Sequence, residues 1–192
     1  MEIQVLPATP EDAPFIAGTI LTAIGHEHVL HMAQTEERIP LIEELFTRLA
    51  AMENSQYSYH NARIAFSADG ERLGAVLCYD GALLHQLRPA FVNAANSLLG
   101  WNLSSDDIAD ETSSDEVYLD SLMVLPEYRG KGVGTRLIAE AGKLAKDLGK
   151  PLGLLVDYEN PVARKLYNGL GFKSIGPRPF AGKDMEHMQM TL

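Results

Sequence analysis

The chain has 192 residues, of which 26 are acidic, 16 are basic and 46% are hydrophobic, so that its formal net charge is −10. A chain of this length can bury a core without disulfides or a structural metal, and its negative charge argues against nucleic-acid and anionic-membrane partners. With one cysteine, no apolar run long enough to span a membrane and no secretory signal pattern after Met1, we expect a single cytoplasmic domain.

The first third of the chain predicts a strand followed by two helices. Met1 to Leu6 is strand-like, and Thr9 stands before Pro10, the pairing typical of a helix start. This first helix should run to about Ile24. Apolar residues at helical spacing predict a second helix over Ile39 to Met52.

The middle of the chain predicts a hairpin and then an insertion. Tyr57 to Ala68 and Arg72 to Tyr79 are strand-like, and Asp69-Gly70 between them is typical of a tight turn. Leu83 to Leu99 has the apolar content of a helix, which we expect to break or restart at Arg88-Pro89. Ser104 to Glu116 is acidic and predicts a mobile surface loop with little to bury.

The last third predicts a regular β-α-β-α-β-β order. The expected elements are Val117 to Leu125, Gly132 to Leu148, Leu152 to Val156, Pro161 to Leu170, Phe172 to Ile175 and Met185 to Leu192.

A glycine-rich turn follows the strand that ends at Leu125. The segment runs from Leu122 to Thr135 and opens a helix, whose first amides lack partners and favour an anion such as a phosphate. Arg129 and Lys131 add positive charge. Neither the P-loop spacing nor the dinucleotide Gly-x-Gly-x-x-Gly spacing is present.

Two motifs together resemble the GNAT superfamily of acyl-CoA N-acyltransferases. Arg129, Gly132 and Gly134 form Arg-x-x-Gly-x-Gly, similar to the family's pyrophosphate loop, and Asn160 to Phe172 is similar to its Asn-x-x-Ala-x-x-x-Tyr followed by Gly-Phe. The resemblance covers roughly Val117 to Phe172. It implies an α/β (α+β) fold with a mixed, mostly antiparallel sheet, a splayed central pair of parallel strands and helices on both faces. We expect one such domain over residues 1–192, with the helical insertion and acidic loop at about 83–116.

The resemblance also implies an acetyl-CoA site with no metal. The pantetheine arm would lie along the free backbone of the strand before the loop, and the amides from Arg129 to Thr135 would hold the diphosphate. The implied cofactor-binding residues are Leu122, Met123, Val124, Arg129, Gly130, Lys131, Gly132, Val133, Gly134, Thr135, Asn160 and Tyr167.

Three catalytic tasks follow for transfer of an acetyl group to an amine. The resemblance assigns the general acid to Tyr167, for which the alternative is a tyrosine packed between helix and strand. A backbone amide near Met123 or Val124 would stabilise the oxyanion. The base is open, because Leu155 stands where the bacterial ribosomal type of N-terminal acetyltransferase carries a glutamate. Asp120 is the first candidate and Asp157 the second, and each could instead be a surface or strand-end carboxylate.

We therefore expect an N-acetyltransferase that moves an acetyl group from acetyl-CoA directly to a primary amine in a ternary complex. The alternative is a non-catalytic acyl-CoA-binding sensor. The acceptor is undetermined, although the net charge favours a cationic partner, and a homodimer is left open. The acidic loop is interpreted as a solvated connection, with attraction of a cationic acceptor as the alternative. His26, His28 and His31 match no zinc spacing and are interpreted as a polar connection bordering the acceptor site, and Cys78 as a small buried apolar residue.

Overall fold

The computed structural model describes residues 2–192, which form seven strands and six α-helices. Strands β1 to β7 are Ile3–Pro7, Ala62–Ser67, Arg72–Asp80, Val117–Val124, Leu152–Asp157, Lys173–Phe180 and Lys183–Met190. Helices α1 to α6 are Ala13–Ile24, His26–Ala33, Ile39–Ala51, Leu84–Leu99, Val133–Leu148 and Pro161–Leu170.

All seven strands belong to one sheet, in the order β1-β2-β3-β4-β5-β7-β6. Every neighbouring pair is antiparallel except β4 and β5. This parallel pair meets only where Val117 lies opposite Leu152 and Tyr118 opposite Gly153, so the strands separate towards their carboxyl ends. The predicted sheet, with its splayed parallel pair, is confirmed.

Helices cover both faces of the sheet, as expected. On one face, α1, α3 and α4 pack on β2 and β3 through a cluster that includes Ile16, Leu45 and Phe46. On the other, α5 packs across β3, β4 and β5 and buries Leu137, Ile138 and neighbouring apolar residues at helical spacing. Within residues 2–192 no helix is long and apolar enough to cross a bilayer.

Helix α4 is continuous, so the expected break at Arg88-Pro89 is wrong. Pro89 lies inside the second turn, where its missing amide deprives only the carbonyl of His85 of a helical bond. The helix buries Leu84, Arg88 and Val92, which recur every four residues along one face. Packing of this face outweighs the loss of a single backbone bond.

The acidic connection from α4 to β4 is also different from the expected mobile loop. Glu111, Thr112 and Glu116 are buried, and the connection begins with a short helical turn at Ser105–Asp107. Cations from other elements hold it, among them Arg88 and Lys150. Composition alone cannot reveal such partners, because they come from distant parts of the chain.

The region between α1 and β2 is more helical than expected. The histidines from His26 to His31 lie on α2 rather than in a polar connection, since Gly25, with a φ of 84°, separates α1 from a helix that buries Val29 and Ala33. Strand β2 begins at Ala62 rather than Tyr57. The side chains of Ser58 and Asn61 bond to nearby backbone groups and form turns in the preceding residues.

Candidate active site

The gap between β4 and β5 exposes backbone groups at the end of β4. The amide of Leu125 donates to the carbonyl of Leu73 on β3 at 3.0 Å, and backbone groups alternate between the two sides of a strand. The groups of Leu122 and Val124 therefore point into the gap. Those of Met123, which lies opposite Ala75, point towards β3. The expected backbone role thus fits Leu122 and Val124 better than Met123, whose assignment to the cofactor stays a prediction.

A β-bulge interrupts β4 just beyond its last contact with β5. Leu77 lies opposite Ser121, whereas Cys78 lies opposite Leu119, so that Asp120 is the extra residue without a partner on β3. A bulge bends a strand locally and redirects the side chain that it carries. Asp120 is accordingly presented at the point where the parallel strands separate.

The predicted anion loop has the backbone that such a site requires. Gly130 and Gly132 adopt positive φ values of 72° and 83°, and Gly132 is the N-cap residue of α5. The amide of Arg129 donates to the carbonyl of Pro126 at 3.3 Å, whereas the amides from Gly130 to Thr135 have no acceptor among residues 2–192. The first helical bond here is that of Arg136 to Gly132. The backbone amides without an acceptor thus begin at Gly130, one residue later than the sequence predicts.

The two basic side chains of the loop behave differently. Arg129 turns back, and its Nε donates to the carbonyl of Val124 at 3.1 Å. The Nζ of Lys131 lies 5.3 Å from the ring centre of Tyr128, whose hydroxyl is bound to Glu71 at 2.8 Å. Arg129 therefore fixes the end of β4, and Lys131 remains beside the free amides as the mobile positive charge.

Helix α6, which follows β5, carries the second motif. The Asn160 side chain accepts a bond from the amide of Ala163 at 3.0 Å, as expected for an N-cap residue. Tyr167 packs on the α5 side of the sheet, with its ring 5.5 Å from that of Phe172. Burial raises the pKa of Tyr167 to about 12. The phenol therefore carries its proton at neutral pH, which is the state a proton donor needs.

Asp120 has the electrostatics of a general base. Burial raises its pKa to about 7, although the hydroxyl of Ser121 donates to it at 2.7 Å and opposes the shift, and the charge of Glu111 raises it further. As a residue, Asp120 is only partly buried. A base whose pKa lies near the working pH is deprotonated in a large fraction of the molecules and still has a high affinity for the proton that it must accept.

Asp157, the second candidate, is held as a carboxylate. The amide of Glu159 donates to it at 2.8 Å and the ammonium of Lys183 at 3.0 Å. These bonds, that of the Glu159 amide first, lower the pKa of Asp157. A carboxylate with a lowered pKa accepts a proton poorly, so that Asp120 is better suited than Asp157 to accept one.

Sequence reasoning missed two buried charged residues near Asp120. Arg88 and Glu111 form an ion pair of 2.8 Å, with 2% and 3% of their side-chain surfaces exposed. One signal was present in the sequence. Arg88 is four residues from both Leu84 and Val92 on the apolar face of α4, where a charge requires a buried partner.

The other singled-out residues lie apart from this cluster. Cys78 is buried as expected, and burial raises its pKa to about 11. His28 and Glu27 on α2 act electrostatically on the ion pair of Asp157 and Lys183 at the end of β5. Within residues 2–192, no three His, Cys, Asp or Glu side chains converge as metal ligands.

Comparison with known proteins places this geometry in a family. The model described as the Acetyltransferase (GNAT) family matches residues 42–172. The uncharacterized protein ML0378 of Mycobacterium leprae (strain TN) is 30% identical over 132 residues, which are 69% of this chain and 33% of that protein. Thialysine N-epsilon-acetyltransferase of Bos taurus is 38% identical over 60 residues, which are 31% of this chain and 35% of that enzyme. The matched segments thus span about a third of each relative.

Similarity to solved structures extends over the whole chain. A crystal structure described as an acetyltransferase is 28% identical, with a TM-score of 0.73 and coverage of 98% of both chains. The PaiA N-acetyltransferase of Thermoplasma acidophilum, solved with coenzyme A, has the same fold at 20% identity, with a TM-score of 0.60 and coverage of 100% of both chains. The family match spans more than half of the chain and contains both motifs. The chain therefore belongs to the GNAT family of acetyltransferases.

Proposed function

We propose that this protein is an acetyl-CoA-dependent N-acetyltransferase that acts on a primary amine by direct transfer in a ternary complex. The observation that carries the proposal is the combination of free amides from Gly130 to Thr135 with the open backbone edge of β4. This combination suits a ligand with a diphosphate at one end and an extended amide-bearing arm at the other.

The residues present fit acetyl-CoA. The free amides at the start of α5 and the ammonium of Lys131 would hold the diphosphate. The backbone of Leu122, which faces the gap, would pair with the arm as a neighbouring strand would, whereas the carbonyl of Val124 is held by Arg129. When bound, acetyl-CoA supplies the acetyl thioester that the amine attacks.

Asp120 and Tyr167 handle the protons of this reaction. Asp120 would take one proton from the ammonium, directly or through water, so that the neutral amine can attack. As the carbon–nitrogen bond forms and the carbon–sulfur bond breaks, Tyr167 would give a proton to the departing sulfur and the nitrogen would lose its second proton. The amide of Val124, which points into the gap, donates to the carbonyl oxygen on which negative charge develops. The proton count is closed, because Asp120 passes the first proton to solvent, and the second proton of the nitrogen, carried by water, replaces the one that Tyr167 gives to sulfur.

A cationic acceptor suits the surface beside Asp120. The carboxylates of Asp120 and Glu111 lie on this side of the sheet with a single buried cation, Arg88, among them, and the chain carries a net charge of −10. An alkylammonium group would be attracted to such a site before it loses its proton. The bovine relative is named for acetylation of a terminal amine, which supports a primary amine as the acceptor.

The test is a panel of primary amines, with release of coenzyme A thiol as the readout. The panel includes polyamines, amino acids and aminoglycosides, and hydroxylated analogues that lack an amine serve as blanks. We expect thiol release above the hydrolysis background with at least one amine. Tight binding of coenzyme A without turnover of any amine would contradict the enzyme and favour a sensor.

A further inference from the structure

The connection between β3 and β4 carries a charge pair into the interior beside the proposed base. Arg88 on α4 donates to Glu111 at 2.8 Å, and both side chains are almost fully buried. Arg88 also binds the carbonyls of Ile108 and Ala109 and the carboxylate of Asp110. The guanidinium thereby fixes the whole segment from Ile108 to Glu111 against the sheet.

Glu111 receives bonds from three separate parts of the chain, namely α4, β3 and the connection between α3 and β2. Besides Arg88 on α4, its Oε1 accepts from the Nε2 of Gln56 at 2.8 Å and from the hydroxyl of Tyr79 on β3 at 3.1 Å. Removing two charges from water costs several kcal/mol per ion, and a buried pair is therefore weak evidence for stability. Stability of the fold therefore does not by itself explain why Glu111 carries a buried charge.

The ring of Tyr79 connects Glu111 to the site. Tyr79 lies opposite Tyr118 in the sheet, and their ring centres are 5.8 Å apart. Asp120 follows Tyr118 by two residues, at the bulge where β4 leaves β5. The acidic neighbour Asp110, in contrast, keeps 45% of its side chain exposed and binds the opposite side of Arg88.

We propose that Glu111 is a positioning residue, whose buried carboxylate sets the charge state of Asp120 and thereby its capacity to remove a proton from the acceptor amine. This inference rests on the proposed function, in which Asp120 is the base. The β3–β4 connection is then a functional part of the acetyl-transfer site as well as a cover for the sheet.

The surroundings of Asp120 leave Glu111 as the charge that acts on it most directly. The ionisable groups that face this region are Tyr57 before β2, Tyr79 on β3, Tyr118 on β4, Glu111 and Arg88. The three phenols have pKa values raised well above the ordinary range, chiefly by burial, and are neutral. Helix α1, which also packs on β4, has no ionisable side chain.

This arrangement has a consequence for the order of events at the site. Without substrate, the loss of water and, to a smaller extent, the charge of Glu111 favour the protonated form of Asp120. An approaching ammonium group has the opposite effect, since a nearby cation favours the carboxylate. Asp120 then accepts a proton from the group that ionised it, and the charge of Glu111 increases the proton affinity of the Asp120 carboxylate.

The direct test follows the titration of Asp120 by NMR of protein labelled with carbon-13 at the aspartate carboxyl carbons, without any substrate. The Asp120 signal is identified by its absence in Asp120→Asn. We expect its midpoint to move to lower pH by about half a unit to one unit in Glu111→Gln. The matched control is Asp110→Asn, which removes the other acidic partner of Arg88 and should leave the midpoint unchanged.

A second variant covers the case in which Glu111→Gln does not fold because Arg88 is left without its buried partner. Arg88→Met combined with Glu111→Gln removes both charges, a replacement that buried pairs often tolerate. The midpoint should again move to lower pH. An unchanged midpoint in a folded variant, or equal movements in Glu111→Gln and Asp110→Asn, would overturn the inference.

The pH profile of kcat/KM for an accepted amine separates this inference from the proposed function. In Glu111→Gln, the acidic limb should move in the same direction as the NMR midpoint. If Asp120→Asn is fully active, the assignment of the base fails. If Asp120→Asn is inactive while Glu111→Gln leaves both the limb and the midpoint unchanged, only the role of Glu111 fails.

Discussion

The carboxylate of Glu116 occupies the space in which Gly153 would carry a side chain. A Cβ atom built on Gly153 would lie 1.8 Å from the Oε2 of Glu116. That carboxylate is buried at the start of β4 and accepts bonds from His187, Gln189 and Thr112. The last contacts between β4 and β5, including Tyr118 opposite Gly153, lie at this point. Glu116 therefore fixes the closed end of the gap that we assign to acetyl-CoA.

Gly153→Ala should destabilise the protein by about 1–3 kcal/mol, the range for an added methyl group in a packed interior. The methyl group would displace Glu116 from its bonds, and the closed end of the splay would shift. The measurement is the free energy of unfolding in urea. Gly169→Ala is the control, because Gly169 lies in α6 with open space around its Cα, and the variant should be neutral or up to about 1 kcal/mol more stable. Equal stability of the two variants would contradict the close packing.

Glu116 should also contribute to loss of stability in acid. Burial would raise its pKa, but bonds from His187, Gln189 and Thr112 outweigh burial and lower it below the ordinary 4.5. A lowered pKa stabilises the folded state above the unfolded value, and this contribution is lost as the pH falls through the folded value. The difference in unfolding free energy between the wild type and Glu116→Gln should thus be largest near pH 7 and shrink below pH 4.5. A difference that stays constant from pH 7 to pH 3.5 would show that the carboxylate is not responsible.

The strands and helices of the last third were predictable from the sequence because they depend on local signals. Gly132 and Gly149 bound α5, and Asn160 with Pro161 begins α6, as the residue types indicate. The resemblance to the GNAT superfamily also predicted the mixed sheet and its splayed parallel pair. The bulge at Asp120 could not be predicted, since it depends on a shift of register against β3. The buried role of Glu111 was equally hidden, because its partners lie in three other parts of the chain.

Tyr167→Phe should lower kcat by about 100-fold or more with a smaller change in the KM for acetyl-CoA, the size typical of a lost general acid. The ring would keep its packing on Phe172, so folding should be retained. Steady-state kinetics at saturating amine is the measurement. Tyr59→Phe, on the opposite face of the sheet, is the control and should be fully active. If Tyr167→Phe turned over every accepted amine at the wild-type rate, Tyr167 would not be the general acid.

Asp120→Asn should lower kcat/KM by about 100-fold or more and remove an acidic limb of the pH profile. With a pKa of about 7, Asp120 is a base only when deprotonated, so that wild-type kcat/KM should rise with pH to a plateau above 7. Alkylammonium groups have a pKa of about 10, roughly three units above that of Asp120, so that their ionisation produces a separate limb of the pH profile. Asp157→Asn should keep the limb near pH 7. A limb that persists in Asp120→Asn would identify a different base.

The central claim is that the free backbone amides of the glycine loop bind the diphosphate of coenzyme A. Amide NMR of nitrogen-15-labelled protein tests it most directly, with coenzyme A and, in parallel, pantetheine, which lacks the diphosphate. We predict that coenzyme A shifts the amide signals from Gly130 to Thr135 most strongly, and that pantetheine leaves them nearly unchanged. Equal responses to the two ligands, or no response of these amides to coenzyme A, would contradict the account.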